Sequence, residues 1–181
     1  MKRTALKTLL EQYHPTAPEE IDAKRDMLTF LAQYKDCFER TLEVGHFTAS
    51  CWLLSKDGSH ALLTHHAKLG FWVQLGGHCD GDPDVLAVGL KEAQEESGIM
   101  GIHPVSDQLF DIDIHLIPAR KHEPEHYHYD VRFLLQVTSD EQFVVSHESK
   151  ELRWVSKDIH SLPPGSESVL RMFKKWQEFI S

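Results

Sequence analysis

The sequence predicts an α/β protein in which a mixed β-sheet is sandwiched between helices, with a helical extension at the N-terminus. Three observations carry this reading. Short apolar runs separated by turn residues fill the middle of the chain, from Phe47 to Val155. One helix-period segment, bounded by Asp82-Pro83 and Gly98, interrupts them. Helix-period segments also occupy both ends, which is the element pattern of a sheet covered on two faces.

At 181 residues the chain suits one full hydrophobic core and is short for two. Its 41% hydrophobic and 26% charged content is ordinary for a globular protein. A formal net charge of -9 argues against nucleic acid as a partner. A phosphorylated substrate would then need a local cation, either a basic patch or a metal ion. Cys37, Cys51 and Cys79 are too few and too scattered for a disulfide framework or a Cys-x-x-Cys metal site. No apolar stretch approaches the roughly 20 residues a membrane span needs. The expectation is a cytoplasmic protein with no membrane or nucleic-acid partner.

Taken in order, Thr4–Tyr13 reads as a helix with Leu6, Leu9 and Leu10 at helical spacing. Pro15 and Pro18 mark a turn, and Glu19–Tyr34 reads as a second helix with Ile21, Met27, Leu28 and Leu31 as its buried stripe. Residues 1–42 are therefore expected as a helical extension packed on a main domain of residues 43–181. These helices would either cover the sheet or form a homodimer contact. Phe47–Leu54 and Ala61–Thr64 flank Lys56-Asp57-Gly58-Ser59, a hairpin turn. Phe71–Leu75 runs into Gly76-Gly77. After the central helix, strands are expected at Asp111–Leu116, His126–Val137, Phe143–Val145 and Leu152–Val155, and an amphipathic helix at Ser166–Ile180.

The central helix carries the chemistry. Asp82 can cap it, Pro83 suits its first position and Gly98 its left-handed end. Leu86, Gly89, Leu90 and Ala93 form a packed seam, and Glu92, Glu95 and Glu96 share the arc beside it. Gly89 costs the helix about 1 kcal/mol relative to Ala, which makes sense where another backbone packs close. Three carboxylates late in a helix repel one another and oppose the helix dipole. A hard divalent cation would relieve both penalties.

From Gly77 to Ile99 the sequence closely resembles the Nudix box, which runs Gly, five residues, Glu, seven residues, Arg-Glu-U-x-Glu-Glu-x-Gly-U, with U bulky and apolar. Gly77, Glu92, Glu95, Glu96, Gly98 and Ile99 fall on this pattern in register. Pro83 stands in place of the first Glu, Lys91 in place of Arg, and Ala93 is smaller than the usual residue. The missing Glu and Arg form a supporting ion pair in the family, so the departure touches how the loop is braced; Asp82 or Asp84 could pair with Lys91 instead. The resemblance implies the Nudix fold and metal-dependent hydrolysis of a diphosphate linkage in a small nucleoside diphosphate derivative, with water attacking phosphorus. It also implies Mg²⁺ or Mn²⁺ held by Glu92, Glu95, Glu96 and the Gly76 carbonyl, Glu92 as general base, and a further carboxylate after the strands, here Glu148. Two alternatives share the fold: a non-catalytic domain that binds a nucleotide or partner protein, and an isoprenoid diphosphate isomerase. The second draws on Cys79 beside His78, although a small loop residue explains Cys79 as well.

A second constellation lies in His126-x-His128-x-Asp130-x-Arg132. Strand period two places these side chains on one face, opposite Tyr127, Tyr129, Val131, Phe133 and Leu135. One reading is a polar outer face. The other is a wall in which His126, His128 and Arg132 contact substrate phosphate, or a second metal site that His115 and His122 could join.

Overall fold

The computed structural model describes residues 2–120, 123–147 and 149–179. Two helices open the chain, α1 (Lys2–Gln12) and α2 (Pro18–Gln33). Strands β1 (Gly45–Leu54), β2 (His60–His66), β3 (Trp72–Val73) and β4 (Leu75–His78) lead to helix α3 (Val85–Ser97). Strands β5 (Ile102–Pro104), β6 (Asp111–Ile117), β7 (His126–Val137) and β8 (Ser149–Ser156) follow, and α4 (Glu167–Glu178) closes the fold.

All eight strands join one mixed sheet. Its path is β3-β2-β1-β7-β5, with β4 paired to β1, β6 to β7 and β8 to β2. β1 is buried at all ten positions and runs parallel to β7, from Gly45 opposite Tyr127 to Leu54 opposite Gln136. A strand covered on both faces needs apolar or satisfied polar side chains throughout. On one face Phe47, Cys51, Val131 and Phe133 join the core formed with α3, α1 and α2. On the other, Trp52, Leu54 and Leu134 pack against Val169, Met172, Phe173 and Trp176 of α4. The expected sandwich is therefore present.

Several local expectations shift. α3 begins at Val85, not Pro83, because the Asp84 carboxylate accepts the Ala87 N–H at 3.1 Å and caps the helix. Asp82 instead accepts from the Asp84 amide at 3.0 Å. In α2 Ile21 faces solvent, and the buried positions are Glu20, Ala23, Met27, Phe30 and Leu31. The Phe143–Val145 segment joins no strand, and Val144 and Val145 are exposed. The short β5 has too few residues to show a period in the sequence. No described helix is long and apolar enough to cross a membrane.

Candidate active site

The acidic helix closes against β4 because β4 is nearly side-chain-free there. Gly76 sits at φ 158°, where a Cβ would come within 2.6 Å of the Ser50 Cα on β1. Only glycine fits that approach. Its amide donates to Glu96 Oε2 at 2.9 Å, anchoring a carboxylate that is 6% exposed. A Cβ on Gly77 would stand 2.4 Å from Glu92 Oε2, so the Glu92 carboxylate lies directly over this glycine. At the other end of α3, Gly98 takes the left-handed conformation and its N–H bonds the Gln94 carbonyl at 2.8 Å.

Glu92 and Glu96 thus rest on β4, while Glu95 points outward with its side chain 58% exposed. The oxygens of the three glutamates do not gather within 4.8 Å of one another; among the described residues that spacing is met by a group of histidines. Lys91 does not reach Asp82 or Asp84. Its Nζ lies 3.9 Å from Glu92 Oε1 and 3.7 Å from Glu95 Oε1, so it offsets charge within the cluster itself. The loop before α3 is braced from elsewhere. Arg40 donates to Asp80 Oδ2 at 2.6 Å, and the Gly81 amide bonds the Phe38 carbonyl at 3.0 Å. Cys79 is buried, and burial raises its thiol pKa, which disfavours the thiolate that a nucleophile needs. Glu148 lies outside the described residues, as does His122. Glu151 pairs with Arg153 at 2.8 Å on the surface.

Beside this helix, strand registers assemble a polar face on the sheet. Ser50 pairs with Gly76 and Arg132, and Arg132 with Asp111. One pleat further along, Thr48 pairs with His78 and Asp130, and Asp130 with Asp113. The next row is His46, His128 and His115. Asp130 accepts from Thr48 Oγ1 at 2.9 Å, Ser50 Oγ at 2.7 Å, Gln74 Nε2 at 3.1 Å and Arg132 Nε at 2.7 Å.

Arg132, expected from the sequence as a substrate contact, lies within this polar network. It is 1% exposed and donates to both Asp130 and Asp111, at 2.7 and 3.0 Å. Asp113 lies 3.4 Å away and Arg171 of α4 binds the same two aspartates of β6. Burial alone would lower the Arg132 pKa, but the surrounding carboxylates raise it, so its charge is committed to the fold. His126 and His128 do share a face, and it also holds His46 and His78. Sequence reasoning singled out neither His46 nor the placement of His78. Each stands alone among apolar or loop residues. The available signal was period two in His46-x-Thr48-x-Ser50, which puts a histidine in line with two hydroxyls on a central strand.

The NUDIX domain family model matches residues 44–176. Comparison with curated proteins gives no significant match. Among solved structures, a Nudix-family hydrolase from Clostridium perfringens is 28% identical, with a TM-score of 0.55 over 74% of this chain and 96% of that one. An Ap4A hydrolase from C. elegans, solved as a binary complex, gives a TM-score of 0.57 at 16% identity, over 73% of this chain and 95% of that one. The E. coli dihydroneopterin triphosphate pyrophosphohydrolase gives 0.55 at 13% identity, over 71% and 92%. With the family model spanning most of its length and the box glycines seating two glutamates of α3 on β4, the chain belongs to the Nudix family of pyrophosphohydrolases.

Proposed function

We propose that the chain hydrolyses a diphosphate linkage in a small nucleoside diphosphate derivative, using Mg²⁺ or Mn²⁺ at Glu92, Glu95, Glu96 and the Gly76 carbonyl. The observation that carries this is the contact of Glu96 with the Gly76 amide, which fixes the acidic helix against the β4 backbone. Carboxylates and a carbonyl are hard oxygen donors, the set these cations take. Lys91 stands beside the cluster, more than 3.5 Å from either carboxylate it approaches. When bound, the metal supplies neutralisation of the diphosphate charge and activation of water.

The chain's own residues do the rest. Glu96 is held in place by a backbone N–H, so it need not reorganise when substrate arrives. Glu92 rests over Gly77 and is the proposed general base. It takes a proton from water as the water oxygen bonds to phosphorus and the bridging oxygen leaves. His126 and His128, on the neighbouring polar face, are candidate contacts for the substrate's anionic groups, either directly or through a cation that they hold. Glu148 keeps its sequence-based candidacy as a further carboxylate. A reducing, cytoplasmic setting agrees with three free, buried cysteines.

The test is product release from a panel of nucleotide sugars, dinucleotides and nucleoside triphosphates with each metal; Ap4A and dihydroneopterin triphosphate belong on it. Glu95→Gln or Glu96→Gln should cut metal-dependent turnover by at least about 10²-fold, the scale of losing one preorganised charge contact. Retained turnover in both would remove the assignment. No product from any substrate would favour a nucleotide-binding domain without turnover, the reading that Pro83 and Lys91 leave open.

A further inference from the structure

Five imidazoles meet on the polar face: His46 of β1, His78 of β4, His115 of β6, and His126 and His128 of β7. The His46 ring centroid lies 5.1 Å from His78, 4.9 Å from His128 and 5.1 Å from His126. One ligand nitrogen from each of His46, His78 and His128 lies within 4.8 Å of the other two. His46 is 2% exposed; the Leu42 backbone lies near its ring, but neither buried ring nitrogen makes a hydrogen bond of normal geometry. Buried polar groups are ordinarily paired, so this ring calls for a partner beyond the described protein atoms.

Phenylalanine would fill the same space at no polar cost, so packing does not explain the crowd. Its geometry favours a cation. His126 Nδ1 donates to the Pro124 carbonyl at 2.8 Å, which leaves Nε2 as the lone-pair nitrogen. That nitrogen faces His128 Nε2 at 3.2 Å. Tetrahedral zinc with bonds of about 2.0–2.1 Å separates neighbouring nitrogens by about 3.4 Å.

We propose that His46, His78 and His128 form a binding site for a zinc-class transition metal ion, with His126, which lies outside that group of three but 3.2 Å from His128, drawn in as the fourth donor when the ion binds. Imidazoles select Zn²⁺ and its neighbours over Mg²⁺, whereas the acidic helix offers only hard oxygens. The two sites therefore differ in preference as well as position. Burial and mutual repulsion hold His46 at about 4 and His128 at about 2, and burial with nearby Arg40 lowers His78, so the rings stay in the neutral form that ligates. His115 braces the group from outside. Its Nδ1 lies 3.1 Å from Asp113 Oδ2, and its ring meets that of His128 edge-on at 5.4 Å. An ion here ties β4, the strand that carries Gly76 and Gly77, to β1 and β7.

The experiment uses the full chain, stripped with a chelator and titrated with Zn²⁺ by calorimetry and with Co²⁺ by visible absorption, in excess Mg²⁺. One equivalent of each should bind, with Co²⁺ bands of tetrahedral intensity. His128→Gln should abolish the equivalent, and His126→Gln should weaken it at least tenfold. His46→Gln, at a fully buried position, is read only if its circular dichroism matches the parent. Glu95→Gln with Glu96→Gln should leave Zn²⁺ binding unchanged, which separates this site from the acidic helix. Absence of a Zn²⁺ equivalent, or one that survives both His128→Gln and His126→Gln, overturns the proposal. So does an equivalent lost in the glutamate variant instead.

Discussion

Gly77 and Gly89 both belong to the box, yet the structure asks different things of them. A methyl group on Gly77 would stand 2.4 Å from Glu92 Oε2 and must displace that carboxylate. Gly77→Ala should lower kcat/KM about 10²-fold, the cost of misplacing a catalytic group by about 1 Å, with little change in Tm. Unchanged kinetics would mean that Glu92 is not positioned by this contact. At Gly89 a methyl would rest 3.5 Å from the Ser50 carbonyl oxygen and 3.7 Å from Phe133 Cδ2, both ordinary contacts. The sequence reading expected a backbone close to this glycine. The β1 backbone is there, but it leaves room for a side chain. Gly89→Ala should therefore gain up to about 1 kcal/mol in urea unfolding, from helix propensity alone. A loss of stability would show the seam tighter than these distances indicate. Arg132 teaches the same lesson in reverse. Period two placed it correctly beside Asp130, but only the β6–β7 register brings Asp111 and Asp113 to it, and local pattern carries no register.

At the scale of elements, α2 is held by a buried charge that its sequence hides. Glu20 has no exposed surface, whereas charged residues near a helix start are ordinarily solvated. Its Oε2 accepts from the Thr16 amide at 2.7 Å, the Ala17 amide at 2.9 Å and Thr16 Oγ1 at 2.9 Å. Its Oε1 accepts from Tyr13 OH at 2.5 Å and from Lys175 of α4. Burial pushes this carboxyl up, but the Lys175 and Tyr13 hydrogen bonds outweigh it and bring the pKa from 4.5 down to about 2. A depressed carboxylate stabilises the fold fully above its unfolded pKa, and that contribution fades as pH falls through the folded value. The urea midpoint should thus fall between pH 4.5 and about 2. Glu20→Gln should lower the midpoint at pH 7 and flatten that part of the profile. A variant profile parallel to the parent's would assign the acid sensitivity to other groups.

For the whole molecule, the sandwich was legible from patterning, because alternation and helix period report which face is buried; the division of the buried residues into two clusters, where one core was expected, was not. The histidine group and the Arg132 network were not legible either, since their members come from strands distant in sequence and meet only through sheet order. The N-terminal helices pose the same question at full scale. The family match begins at residue 44, yet Leu6, Leu10, Met27 and Phe30 belong to the core that contains Phe47. Phe30 stacks on Tyr129 of β7 at 3.9 Å, and Glu20 and Asp111 share the Lys175 ammonium. Fully burying a large apolar side chain contributes about 1.5–3 kcal/mol. Losing Leu6, Leu10, Met27, Phe30 and Leu31 together therefore rivals the about 5–15 kcal/mol that holds a typical domain folded. A chain reduced to residues 43–181 should lack a cooperative urea transition and aggregate at concentrations where the full chain stays in solution. A fragment that unfolds cooperatively, with the parent's kcat/KM, would show instead that the helices cover a sheet already stable without them.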